Sequence, residues 1–206
     1  MEQRSTEWFA ARAGRVTASR IADVMAKTAK GWGASRAVYH DQLVTERLTG
    51  ICEPGYSNAA MQWGTEQEAN ARDCYAFSAG VSVVEEGFVP HPTIAMAGAS
   101  PDGLVGDEGM VEIKCPNSGT HVATLRGGPI ADKYVKQMQF QMACTGRRWC
   151  DFASYDPRLP VEMQLIVHRV DRDDEMIAEI EAAVTAFLAE VDATVEDLNN
   201  RFRKAA

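Results

Sequence analysis

The stretch Leu104–Lys114 restricts the fold more than any other. Leu104-Val105 and Met110-Val111-Glu112-Ile113-Lys114 are strand-forming runs, and Gly106-Asp107-Glu108-Gly109 between them is a turn. The segment therefore reads as a β-hairpin. Side chains alternate across a strand, so Glu112 and Lys114 share one face while Ile113 points into the core. Asp102, in Ser100-Pro101-Asp102-Gly103-Leu104, sits at a turn beside the adjacent strand and can converge on that same face.

The rest of the chain is arranged around this hairpin. A short helix is expected over 5–13, with Trp8 and Phe9 as its buried side. Hydroxyl caps in Thr17-Ala18-Ser19 begin a second short helix reaching Lys27, and Lys27–Gly33 reads as a loop. Ser35 caps a third helix ending near Gly50, and a long helix over 58–79 stops at Gly80. Strand character follows in Val81–Pro90 and Ile94–Ala97. Helices are expected over 118–126 and 131–145, then strands at Trp149–Tyr155 and Met163–Val170 joined through Asp156-Pro157-Arg158. From Asp173 to Leu198, apolar residues recur at Ile177, Ile180, Val184, Phe187, Leu188, Val191, Val195 and Leu198, the stripe of a helix packed on one face. The order of elements predicts an α/β fold with a mixed central sheet flanked by helices, and residues 1–206 read as one domain.

Composition narrows the class. At 46% hydrophobic and 24% charged, without a low-complexity tract, the chain reads as globular, and its length suffices for a sizeable core. No apolar run matches a membrane span, and the polar start Met1-Glu2-Gln3-Arg4-Ser5 lacks a signal-peptide core. Five cysteines without a C-x-x-C pair read as reduced, buried thiols in a cytoplasmic setting, and Cys144 and Cys150 find no partners at zinc spacing. The four histidines show no ligand spacing either. A net charge of −8 argues against a repressor-like DNA binder. It does not argue against a metal-dependent nuclease, where bound cations supply positive charge at the phosphate.

Asp102, Glu112 and Lys114 form a minimal kit for metal-assisted phosphodiester hydrolysis, although Asp-Gly is commonly a plain turn and Glu-x-Lys a plain strand. Glu68, on the 58–79 helix, can add a third carboxylate. Gln137, Gln139 and Gln141 on the 131–145 helix can orient a water or a phosphate oxygen. Mg²⁺ prefers about six oxygen ligands; Asp102, Glu112 and the Ile113 carbonyl can supply some of them, with Glu68 on the same or a second ion. Lys114 can orient the water, stabilise transition-state charge or act as base, three roles the sequence leaves open. Trp8–Ser19 carries Arg12, Arg15, Thr17 and Ser19. In isolation these read as surface arginines and a helix cap; with Ser100 they can also form an anion pocket. Arg126-Gly127-Gly128 reads as a helix stop.

Several of these segments together resemble a known family. Trp8–Ser19, Trp63-Gly64-Thr65-Glu66-Gln67-Glu68, Ser100–Leu104, Glu112–Pro116, Gln137-Met138-Gln139 and Tyr155-Asp156-Pro157-Arg158 occur in the order found in the phage lambda-type alkaline exonucleases. These are also called YqaJ-type viral recombinases, within the PD-(D/E)xK nuclease superfamily. The resemblance implies a restriction-endonuclease-like fold and a processive Mg²⁺-dependent 5′→3′ exonuclease with two ions, for which Mn²⁺ can substitute. It implies a homotrimeric ring around double-stranded DNA ends, with the 3′ strand passed to a single-strand annealing protein in a bacterial host cell. By position, Asp102, Glu112, Ile113 and Glu68 resemble the metal ligands, Lys114 the catalytic lysine and Gln137 the supporting glutamine. Arg12, Ser19 and Ser100 fall at the 5′-phosphate pocket, and Met61 at an apolar wedge against the terminal base pair. One departure stands out: Lys27–Gly33 holds no arginine where the family sends one into the minor groove, leaving Lys27 or Lys30 as substitutes. In a ring, few basic residues line the channel while the exterior stays acidic.

Two other readings compete. An endonuclease or repair nuclease of the same superfamily has no need of a 5′-phosphate grip. A non-catalytic scaffold binding DNA ends or an annealing protein has no need of the Asp102/Glu112/Lys114 set.

Overall fold

A computed structural model describes residues 1–53 and 58–203. Its main sheet has five strands: β4 (Val83–Val84), β7 (Gly103–Val105), β8 (Gly109–Lys114), β9 (Trp149–Tyr155) and β10 (Leu165–Asp171), in the order β10-β9-β8-β7-β4. β7 and β8 form the expected antiparallel hairpin, with Leu104 opposite Met110. β8 and β9 run parallel, Glu112 opposite Phe152, and the remaining neighbours are antiparallel. Parallel pairing requires a long crossover, supplied here by α5 (Ser118–Leu125) and α6 (Asp132–Thr145). Gly109 opens β8 directly against Trp149: a Cβ there would lie 2.1 Å from the indole ring. Only glycine lets that ring cross the strand.

Both faces of β8 are covered. Val111 and Ile113 pack with Ala71 and Tyr75 of α4 (Ala59–Ala79), and with Ala153 and Tyr155. Met110, one residue before, packs on the other face with Met138 and Met142 of α6, Cys150 and Phe152. The pleat thus sends Glu112 toward α6.

A smaller sheet of three strands has the order β1 (Val16–Thr17), β6 (Ala97–Ala99), β5 (Val89–Pro90). It shares a core with α2 (Ile21–Val24), α3 (Ala34–Thr49) and α7 (Asp174–Phe202). On α7, Asp173 caps the N-terminus and Ile177, Ile180, Val184, Phe187, Leu188 and Val191 are buried, as the stripe predicts. Every residue of Met138–Cys144 is buried. Met138 and Met142 serve the large sheet while Phe140 and Cys144 join the α7 core, so α6 is enclosed between the two.

Some local expectations are corrected. The first helix is α1 (Thr6–Arg12), but Phe9 is exposed because no core lies beneath its side. The second short helix is a 3₁₀ turn at Ala18–Arg20 followed by α2, without a side-chain cap. Lys27–Gly33 is a small hairpin, β2 (Lys27–Thr28) and β3 (Gly31–Trp32), and the N-cap of α3 is Gly33 rather than Ser35. The strands in Val81–Pro90 and Ile94–Ala97 shrink to β4, β5 and β6. All five cysteines are free; Cys144 and Cys150 are buried, but Cys52, Cys74 and Cys115 are only partly so. No helix among the described residues is long and apolar enough to cross a membrane.

Candidate active site

The hairpin brings two carboxylates to one place. Asp102 precedes β7, and its Oδ2 accepts a hydrogen bond from the Ile113 amide at 2.7 Å. Glu112 is fully buried on the α6 side of β8. Its Oε1 accepts from the Lys114 ammonium and, at 2.6 Å, from Gln137; its Oε2 accepts from Gln141 at 2.7 Å. Residues four apart share a helix face, which explains why Gln137 and Gln141 both reach Glu112. Gln139 lies on another face and instead bonds the Asp171 carbonyl and the Asp173 amide, at 2.8 and 2.9 Å.

Electrostatics follow from burial and crowding. Desolvation and then the nearby Glu112 charge push the Asp102 carboxyl up to about 8. Burial works to lower the pKa of Lys114, but Glu112 and Asp102 outweigh it and hold the ammonium charged above its ordinary value. Cys115, next along, is pushed up to about 12, first by burial and then by Glu68 and Asp102, so its thiol stays protonated. An environment that resists a second carboxylate charge gains from a cation placed between the two.

The candidate donors are all oxygens: the Asp102 and Glu112 carboxylates and, by the resemblance, the Ile113 carbonyl. Such donors suit Mg²⁺ or Mn²⁺ rather than a thiophilic metal. Glu68 is near enough for its charge to raise the Asp102 pKa, but it is already paired with arginines. It is bonded to Arg4 at 2.8 Å and to Arg72 at 3.1 Å, while Arg72 also donates to the Asp102 carbonyl at 3.1 Å. Among the described residues no three His, Cys, Asp or Glu side chains form a ready-made cluster, so Glu68 would have to exchange an arginine for an ion. The residues present fit a hard cation held chiefly by Asp102 and Glu112.

A second group forms at the smaller sheet. Thr17 on β1 pairs in parallel with Gly98 on β6, so Ser19 and Ser100 leave the ladder at the same end. Ser100 Oγ receives hydrogen bonds from Trp8 Nε1 at 2.9 Å and Arg12 at 3.2 Å. Trp8 and Arg12 are one turn apart on α1, with the guanidinium 4.0 Å over the indole. Gly14, at φ 68°, turns the chain from α1 into β1, and a side chain there would meet Arg47. Burial lowers the pKa of Arg12 without threatening its charge. Arg12 and Ser100 are therefore joined directly, while Ser19 is exposed and its hydroxyl lies 3.5 Å from that of Thr17. Met61, near the start of α4, projects into solvent.

Some partners leave little trace in the sequence. Among Gln137, Gln139 and Gln141 the helix period separates Gln139 from the other two, and Arg72 stands out only by its place four residues after Glu68. Trp8, expected on the buried side of its helix, serves as a donor. Arg158 is held by the buried Asp156 at 2.7 Å, lies 4.7 Å over the Trp63 ring and reaches the Pro116 carbonyl at 3.2 Å, joining the exit of β8 to α4.

The model for the YqaJ-like viral recombinase domain matches residues 7–148. The chain belongs to this family. It is also similar to an alkaline exonuclease, LHK-Exo, from Laribacter hongkongensis, with 56% identity over 98% of this chain and 100% of that one and a TM-score of 0.91. The structure of LHK-Exo in complex with dAMP matches equally, at 56% identity and a TM-score of 0.91 over 98% of this chain and 100% of that one. A phage-related exonuclease from Haemophilus somnus 129PT shares the fold: TM-score 0.70, 16% identity, 89% of this chain and 96% of that one. Among curated proteins, none matches the chain. The mixed α/β architecture of this recombinase-family chain is thus that of phage-related exonucleases.

Proposed function

We propose that the chain is a Mg²⁺-dependent exonuclease that digests one strand of duplex DNA from a 5′-phosphorylated end and leaves a 3′ overhang for phage recombination by strand annealing. Its nature as a recombinase-family deoxyribonuclease follows from the family and from the 56% identity to an alkaline exonuclease over nearly the whole chain. The observation that supports the finer reading is the pairing of two sites. The Arg12/Ser100 group lies at one end of Ser100-Pro101-Asp102, and the Asp102/Glu112/Lys114 group lies at the other.

In this reading Asp102, Glu112 and the Ile113 carbonyl hold the metal, with Glu68 drawn to a second ion. The cation supplies a water of lowered pKa and neutralises phosphate charge. Gln137 keeps Glu112 oriented, and Lys114 keeps its positive charge beside the reacting phosphate. Arg12, Ser19 and Ser100 bind the terminal 5′ phosphate through charge-assisted hydrogen bonds. Met61 offers an apolar surface on which the terminal base pair can rest once its stacking is lost. Residues 1–206 act as one PD-(D/E)xK exonuclease domain. Three copies in a ring would place the few basic residues around one DNA channel, and a single-strand annealing protein in the host cytoplasm would receive the product strand.

Linear duplex labelled at either end, with and without a 5′ phosphate, and a closed circle test this reading in Mg²⁺. Early release of the 5′ label, faster with the phosphate, and an intact circle are expected. Cleavage of the circle would instead indicate an endonuclease. Sedimentation of the free protein at three times the chain mass would support the ring, and a monomer would remove it.

A further inference from the structure

Gln141 is fully buried, yet it makes one side-chain hydrogen bond, from Nε2 to Glu112 Oε2 at 2.7 Å; its Oε1 has no partner among the described residues. A carboxylate only accepts, so the amide must turn its N–H₂ toward Glu112 and cannot be flipped to satisfy its oxygen. Burying an amide with its carbonyl unmet is costly, and an apolar side chain of similar volume would fill the space without that cost. The bond to Glu112 is what the position retains in exchange.

The two oxygens of Glu112 are treated differently. Oε1 meets Lys114 and Gln137, both partly exposed, whereas among the described residues Oε2 meets only Gln141, a buried residue one helical turn on along the same face of α6. We propose that Gln141 is a positioning residue for the metal site: it clamps Oε2 so that Oε1 is the oxygen offered to the cation. This rests on the metal reading of Asp102 and Glu112. Lys114 can yield at Oε1 when a cation arrives, while Gln137 keeps its bond to that oxygen and Gln141 keeps the carboxylate from swinging. Outer-sphere partners of this kind commonly set metal affinity by roughly ten- to a hundredfold.

The test is Mn²⁺ binding to the full chain without DNA, read by the paramagnetic resonance of free against bound ion. Gln141→Met keeps the volume and removes the donor. It should weaken binding by roughly tenfold or more, while Gln139→Met, which breaks a buried amide on another face of α6, should leave affinity unchanged. Should Gln141→Met fail to fold, Gln141→Asn withdraws the amide by one methylene and should show the same loss. If Gln141→Met binds Mn²⁺ as the parent does while Glu112→Gln loses it, the clamp is overturned and the metal site stands. If Glu112→Gln also binds normally, the metal reading falls and the clamp with it. Equal losses in the Gln141 and Gln139 variants would trace the effect to α6 packing and overturn the clamp.

Discussion

The Ile113 amide holds the Asp102 carboxylate at 2.7 Å, fastening the turn before β7 to the strand that carries Glu112. The bond needs an oxygen acceptor, not a charge. Asp102→Asn keeps an oxygen for it and removes a carboxylate that resists ionisation, so the thermal midpoint should hold or rise. Mg²⁺-dependent cleavage should fall below detection, and the rise in midpoint that Mg²⁺ gives the parent should disappear. Melting curves with and without Mg²⁺ check both.

Lys114 carries its charge beside Glu112 and Asp102. In Lys114→Ala, Gln137 and Gln141 still bond Glu112, so the fold should survive. Loss of one such stabilising group costs about a hundred- to a thousandfold in turnover. DNA binding in Ca²⁺, measured by mobility shift, should change little; turnover near that of the parent would remove the lysine from the reaction.

Arg12 should matter only to ends that carry a phosphate. A hydrogen bond to a charged group is worth about 1.5–3 kcal/mol. Arg12→Ala should therefore lose on the order of a ten- to hundredfold preference for 5′-phosphorylated duplex, with rates on the unphosphorylated substrate nearly unchanged. Initial rates on the two substrates give the ratio directly.

Asp156 offers a test of stability against pH. Burial would raise its pKa, but the hydrogen bonds from Arg158 prevail and hold it near 2, below the ordinary 3.8. A carboxyl with a lowered folded pKa stabilises at neutral pH, and that contribution is lost as pH falls from about 4 to about 2. The shift corresponds to about 2 kcal/mol, and nearer 1 after solvent screening at the half-exposed Arg158. Asp156→Asn should lose that amount at pH 7 and show a flatter acid limb in denaturant titrations.

What the sequence disclosed followed the range of the interactions. The β7–β8 hairpin and the shared face of Glu112 and Lys114 arise from strand alternation and a four-residue turn, both local. The stripe of α7 is local too. The pairing of β1 with β6, which brings the segments of Thr17 and Ser100 together, joins residues about eighty apart at two positions and leaves no periodic trace. The strands of the Lys27–Gly33 hairpin are two residues each, too short for alternation to register. Phe9 is expected inside because apolar residues usually are, but which side of a short helix meets the core is a tertiary matter. Glu68 pairs with Arg4, distant from it in the chain, and no local pattern announces that ion pair.

Between the hydroxyl that Arg12 touches and the carboxylate that Ile113 touches lie Pro101 and two peptide bonds. An extended chain advances at most about 3.6 Å per residue, which bounds the gap between the two backbone positions at roughly 7 Å. Proline restricts that gap further by fixing its own φ. The segment therefore caps the separation of the two groups' backbones on the scale of a single nucleotide. On the proposed function, the length of each excised piece is written into covalent bonds, and the enzyme should count its product one unit at a time.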